Sequence, residues 1–437
     1  MSLFLRCFCG FLLSGTLFFS CSDKKQKTSD GPQNHFISLH DELDTVFAKN
    51  ELMGMSVILL SGGETVWEGH YGKADVSRNI PIAQNTIYRI ASISKTITAA
   101  ALLQLWQDGR VDLDADVSTY LGWPLKHPKF PEVPITLRHL LSHQSGIRDG
   151  TGYGTFSKDM VAEKLDIKNL FLPDGSHFTD DQFAEHPPGA YFSYTNCTWG
   201  LIASVIEKVV QQRFDDYCRT KIFTPMGLTA DFNVAKLTHL DSLAVLYRYN
   251  DGKWLPQADD YNGLVPQSRA YDGYQLGQNG LIFGPQGSLR ASATDLAAFV
   301  KMFMQEGRYN NRQILEKETA ALMLKSHWNY NGTNGDTWDN FFLSYGFGTH
   351  QTLNKEKGDV LFPDRKMVGH PGIAYGLLSD MYFEKDKKSG IVFITNGAKT
   401  DFGYGKETSF YQVEEAVFKT IYPYLKAFEN SMEAKNR

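Results

Sequence analysis

Ser92-Ile93-Ser94-Lys95-Thr96-Ile97-Thr98-Ala99-Ala100-Ala101-Leu102-Leu103-Gln104-Leu105-Trp106-Gln107-Asp108 carries no charge between Lys95 and Asp108, and Gly109 follows. A surface helix of that length would show a charged face, so the run predicts a buried helix ended by the glycine. At its mouth Ser92 and Lys95 stand three apart, on one helical face and within reach of each other. A serine hydroxyl is a weak nucleophile and needs a base beside it. A lysine drawn into apolar surroundings has a lowered pKa and can be that base. The helix N-terminus adds N–H donors and a field that favours the charge developing on attack. Spacing alone does not single this copy out, since Ser22-Asp23-Lys24-Lys25 repeats it. A capping serine with a snorkelling lysine would look the same.

Outward from this helix, strand signals lie at both ends of the chain. Met55-Ser56-Val57-Ile58-Leu59-Leu60, a turn at Ser61-Gly62-Gly63 and Thr65-Val66-Trp67 predict a hairpin. Leu377 to Phe383 and Ile391 to Thr395 predict a second, joined by a charged turn that closes on Gly390. Helical patterns fill the middle, at Ile135 to Leu141, Leu201 to Val210 and Asp295 to Met304. Another follows at Val413 to Ile421, which Pro423 should end. Tyr247 to Gly287 reads as long loops. The expected fold is α/β (α+β): an antiparallel sheet built from both termini, flanked by helices, with a mainly helical subdomain inserted.

Bulk properties narrow the function. The chain has 437 residues and a net charge of −5, which excludes the basic footprint of a nucleic-acid binder. Of five cysteines, three fall within the first 21 residues. Cys197 and Cys218 are too few for a disulfide framework and read as buried free thiols, with a single bridge as the alternative. No cysteine–histidine cluster has zinc spacing, and no metal or organic cofactor is expected. Residues 1–20 read as a secretory signal, with Arg6 before an apolar run from Cys7 to Phe19 that is too short to span a bilayer. Phe18-Phe19-Ser20-Cys21 resembles a bacterial lipobox with Cys21 as the lipidated residue. Residues 21–35 read as a polar tether and 36–428 as the globular domain. Export to the periplasm or outer membrane, held to the membrane by a lipid anchor, is the expectation.

Two further short patterns complete a constellation. Tyr194-Thr195-Asn196 follows Pro188-Gly189 and precedes an apolar helix. A phenol near a lysine can act as phenolate or as proton relay, and a neighbouring amide can hold a substrate carbonyl. His370-Pro371-Gly372 precedes the C-terminal hairpin. Each has a decoy, Tyr309-Asn310-Asn311 and His70-Tyr71-Gly72. The order Ser-x-x-Lys, Tyr-x-Asn, His-x-Gly resembles the serine β-lactamase and penicillin-binding-protein superfamily, in its class C β-lactamase-like, DD-peptidase and esterase branch. Flanking phrases carry the resemblance further: Tyr88-Arg89-Ile90-Ala91, Ile135-Thr136-Leu137-Arg138-His139-Leu140-Leu141-Ser142-His143-Gln144-Ser145-Gly146, and Gly287-Ser288-Leu289-Arg290-Ala291-Ser292-Ala293-Thr294-Asp295-Leu296. It covers roughly Leu39 to Tyr424.

The resemblance implies a β-lactamase/transpeptidase-like fold with the site in a cleft between sheet and helices. It implies Ser92 as nucleophile, Lys95 and Tyr194 as the proton-transfer pair, and Asn196 as the group that orients the acyl moiety. His370 and Gly372 would line the substrate's path, and the backbone N–H groups of Ser92 and Ile373 would form the oxyanion hole. His370 stands where class C β-lactamases carry lysine. Pro371 stands where carboxylate-binding members carry a hydroxyl, and proline has neither hydroxyl nor N–H. The expected function is a serine hydrolase that cleaves an ester or amide of a small molecule or peptide, peptidoglycan-derived D-peptides included. The alternatives are a β-lactamase or D-alanyl-D-alanine carboxypeptidase, and, from another class, a non-catalytic penicillin-binding-like sensor.

Overall fold

Apolar runs from opposite ends of the chain become neighbouring strands. The computed structural model describes residues 32–264, 271, 273–400 and 403–435. Its main sheet has nine strands, in the order Trp328–Asn329, Ser344–Tyr345, His350–Gln351, Val368–Ala374, Leu377–Glu384, Ser389–Thr395, Gly54–Ser61, Glu64–Asp75 and Ile80–Pro81. Every pairing is antiparallel, and Gly54–Ser61 lies between the C-terminal Ser389–Thr395 and Glu64–Asp75. The Gly62-Gly63 turn of the first hairpin takes φ of +62° and +84°, which only glycine adopts without strain.

Both faces of this sheet are covered, which explains the unbroken apolar character of its central strands. In Gly54–Ser61, Met55, Val57 and Leu59 pack into one cluster with Leu39, Leu43, Val417, Ile421 and Leu425 of the terminal helices. Ile58 and Leu60 turn to the other cluster, which includes the helices Ser94–Gln107, Thr198–Val210 and Ala293–Met304. Val392 and Ile394 join that second cluster, while Ile391 and Phe393 join the first. Two-residue alternation therefore sorts each strand between two cores.

Several boundaries differ from expectation for identifiable reasons. The C-terminal helix runs Gln412–Lys435, with Pro423 inside it. One lost N–H is outweighed because Leu425 and Phe428, beyond the proline, are buried in the same cluster as Leu39 and Leu43. The first helix, Pro32–Lys49, takes up the last residues of the expected tether and buries Leu39 and Leu43. Within the expected loops, Leu246–Asn250 and Lys253–Ala258 pair as a hairpin. Thr136 and Ser292 cap the helices Leu137–Leu141 and Ala293–Met304 through reciprocal side-chain and backbone bonds. Cys197 and Cys218 are buried free thiols. The expected signal segment and Cys21 lie outside the described residues.

Candidate active site

Ser92 does not sit in the α-helix itself. It occupies a 3-10 turn, Ala91–Ile93, that feeds the helix Ser94–Gln107. Ala91 takes φ of +46°, a left-handed conformation that costs a residue with a Cβ about 1–3 kcal/mol. Lys95 is fully buried in the first turn of the helix. Its Nζ lies 3.1 Å from Ser92 Oγ, 2.8 Å from Asn196 Oδ1 and 2.9 Å from the Gln286 carbonyl. Burial pulls its pKa down to about 7, against an opposing pull from Asp149. The two partners other than Ser92 are acceptors only. When the amine is neutral its two N–H bonds serve Asn196 and Gln286, and the lone pair is left facing the Ser92 hydroxyl. That is the arrangement a general base requires.

Tyr194 is half-buried, and its hydroxyl is hydrogen-bonded to Ser92. Lys95 Nζ lies 4.8 Å from its ring centroid, and Phe342 stacks on that ring at 5.0 Å and 11°. Burial raises the phenol's pKa, so the free site holds a protonated tyrosine that can pass a proton rather than a phenolate. Asn196 is clamped at both ends of its amide. Its oxygen accepts from Lys95, and its Nδ2 donates to Asp149 Oδ2 at 2.8 Å. The Asp149 carboxylate also accepts the backbone N–H groups of Asn196 and Cys197, both at 2.9 Å. Sequence reading missed Asp149, because one exposed aspartate in a loop has no signal of its own.

The strand Val368–Ala374 brings the third motif to this turn. Its pairing with His350–Gln351 ends at Gly369, leaving the edge beyond it free of a strand partner. Gly372 sits so close to the turn that carries Ser92 that an added Cβ would lie 2.5 Å from the Ile90 carbonyl and 2.3 Å from Ser379 Oγ. The glycine is what permits the approach. Pro371 and Ile373 line a cavity of about 350 Å³ together with Ser92, Tyr194 and Asn196. His370 does not line it. Strand alternation turns its ring inward, where it is fully buried and bonds Tyr345 Oη at 2.8 Å. Burial and the nearby Lys95 hold its pKa well below the ordinary range, so it is neutral and offers no charge to a carboxylate. The expectation of direct substrate contact by His370 is corrected on this point. Ser92, Lys95, Tyr194, Asn196, Gly372 and Ile373 do converge.

A supporting layer surrounds the constellation. His143, at φ +56°, is buried 4.5 Å from the Tyr194 ring and accepts the Thr195 N–H through Nδ1 at 3.1 Å. Ser94 Oγ accepts the Leu289 N–H and Thr98 Oγ1 donates to the Pro285 carbonyl, which fixes the segment carrying Gln286. Of the decoys, His70 lies in strand Glu64–Asp75 and bonds Ser56, and Tyr309 lies in a small separate hairpin. Ser22 and Lys25 lie outside the described residues.

A family model described as Beta-lactamase matches residues 41–411. Penicillin-binding protein 4* of Bacillus subtilis (strain 168) is 25% identical over 370 residues, covering 83% of this chain and 72% of that protein. The octameric penicillin-binding protein homologue from Pyrococcus abyssi superposes with a TM-score of 0.62 at 24% identity, covering 82% of this chain and 73% of that one. D-amino acid amidase from Ochrobactrum anthropi SV3, solved with L-phenylalanine amide, gives 0.63 at 21% identity, covering 91% and 99%. The fold is β-lactamase/transpeptidase-like, with a large antiparallel sheet flanked by helices.

Proposed function

The chain belongs to the Beta-lactamase family, of the serine β-lactamase and penicillin-binding-protein superfamily, and from that premise we propose that it cleaves an ester or amide through an acyl-enzyme on Ser92. One observation carries this reading: a buried Lys95 amine, drawn to about pKa 7, lies 3.1 Å from Ser92 Oγ. In the first step Ser92 Oγ bonds to the acyl carbon and its proton passes to Lys95. The negative oxygen of the tetrahedral adduct is held by the backbone N–H groups of Ser92 and Ile373. The adduct collapses as the leaving group departs with a proton relayed through Tyr194. Water then adds to the acyl-enzyme, loses its proton to the same pair, and releases the acid with Ser92 restored. Asn196, its amide direction set by Asp149 and Lys95, orients the acyl group.

Pro371 favours esters and amides that lack a free carboxylate over penicillins and D-alanyl-D-alanine peptides. It has no hydroxyl for that anion, and the neutral His370 does not replace it. A fluorophosphonate probe is expected to label Ser92, and Ser92→Ala to abolish both the label and hydrolysis of p-nitrophenyl acetate. Labelling that persists in Ser92→Ala protein rules the nucleophile out. We also propose export with Cys21 lipidated, supported by Phe18-Phe19-Ser20-Cys21 after an apolar run. Mass spectrometry of the mature N-terminus is the check, and any mature start other than acylated Cys21 refutes it.

A further inference from the structure

The cavity beside Ser92 holds a second chemical signal that hydrolysis at Ser92 does not use. Glu414 lines it while only 2% exposed, and behind Glu414 lies the fully buried Asp380. The sheet register places Asp380 directly across from Pro371, on the face the two residues share. Glu414 Oε2 accepts the Tyr411 N–H at 2.7 Å, as a carboxylate in the first turn of a helix commonly does. The Glu414 carboxyl is also hydrogen-bonded to the Asp380 carboxyl. Apart from the Glu414 carboxyl, neither Asp380 oxygen has a hydrogen-bond partner among the described residues. No lysine or arginine among the described residues pairs with either acid. Two carboxyls in contact share one proton readily and leave one negative charge, which in a dry setting calls for a cation.

The rest of the cavity has the surface such a cation prefers. Trp338 and Tyr404 line it while 53% and 61% exposed, unusual for rings of that size. Tyr411 lines it as well, 5.1 Å from Tyr404. Trp338 is held in place by three successive left-handed residues, with φ of +47° at Trp338, +56° at Asp339 and +64° at Asn340. Such strain concentrates where a side chain has to be presented. The result sets the indole 5.0 Å from Tyr194 and 5.2 Å from Phe342. Ring faces and a buried carboxylate together make a receptor for organic cations.

We propose that this cavity binds an alkylammonium group, with Glu414 backed by Asp380 as its counter-ion and Trp338, Tyr404 and Tyr411 as its aromatic walls. The ester or amide presented to Ser92 therefore carries a positive charge. This rests on the reading of Ser92 as nucleophile in the same cavity. An ammonium adds N–H donors to the acid pair, and the pair's negative charge repels a carboxylate substrate.

The test uses the full chain at about pH 8, which favours the ionised form of a Glu414 carboxyl that burial raises while an alkylamine stays protonated. 2-Phenylethylammonium and 2-phenylethanol, matched in size, compete against hydrolysis of p-nitrophenyl acetate, and calorimetry measures their binding without turnover. The ammonium is expected to bind at least about tenfold more tightly, and Glu414→Gln to remove the difference. A difference below tenfold in the natural chain, or one that survives Glu414→Gln, overturns the proposal. The comparison within the natural chain stands even if the variant does not fold. A protein that prefers ammonium without acylating fails only the hydrolase reading, and one that acylates without that preference fails only this inference.

Discussion

At the residue scale, the chemistry turns on how Lys95 is held. Burial favours its neutral form and Asp149 favours the charged one, with the balance at about 7. His143 and His370, the other basic groups near it, are held well below their ordinary range by burial and by Lys95, so neither titrates with it near neutrality. As the proposed base, Lys95 is protonated and idle below its pKa and free above it. For a neutral ester, kcat/KM is therefore expected to rise through an acid limb near pH 7. Removing the Asp149 charge withdraws the one effect that raises the Lys95 pKa, so in Asp149→Asn the limb should move to lower pH. Asp149 acts as a positioning residue, and a pH–rate profile separates this role from simple loss of structure. A limb that stays in place in Asp149→Asn would remove the coupling. Ser92, Lys95, Tyr194 and Asn196 were legible in the sequence because three short motifs occur in one order within matching phrases. Asp149, Trp338 and Glu414 were not, since no motif marks them and only folding brings them to Asn196 or to the cavity.

At the scale of elements, the hairpins were legible because their turns are: Gly62-Gly63 and the charged loop before Gly390 punctuate apolar runs that alternation sorts onto two faces. The buried helix was legible from its missing charged face, and in the structure it begins two residues later, after the 3-10 turn that carries Ser92. The backbone before a nucleophile can depart from helical geometry without any change in residue type, so Ala91 carried no warning. His370 shows the same limit in a strand. Its motif was visible, but which side of the pleat meets the cavity depends on register, and register put Pro371 and Ile373 there instead. The hairpin Leu246–Asn250 and Lys253–Ala258 escaped notice because its second strand is mostly exposed and shows no apolar alternation.

At the scale of the whole molecule, the cavity depends on structure far from it. The helix Gln412–Lys435 starts beside the cavity at Tyr411 and Glu414, and its later turns bury Leu425 and Phe428 in the terminal cluster. Its half beyond Pro423 is fastened by burial of Leu425 and Phe428 and by Glu429, whose two oxygens accept from the two terminal guanidinium nitrogens of Arg365 at 2.6 Å. Arg365 is nearly buried and keeps a longer contact to Glu384 at 3.4 Å. Leu425→Ala leaves a cavity where a fully buried side chain stood, at a cost of about 2–5 kcal/mol. Ending the chain at Tyr422 removes Leu425 and Phe428 together, roughly 3–6 kcal/mol of burial, and strips Arg365 of its bidentate partner. Against a total stability on the order of 5–15 kcal/mol, the truncated chain should lose a large part of its margin and unfold at a much lower urea midpoint than the full chain. Leu425→Ala should remain folded with a lower urea midpoint and an unchanged slope. The two variants read one quantity, the fastening of the helix beyond its proline. If the truncated chain unfolds in urea at the same midpoint as the full chain, the residues after Pro423 are dispensable and the cavity's acidic wall is held by its first turns alone.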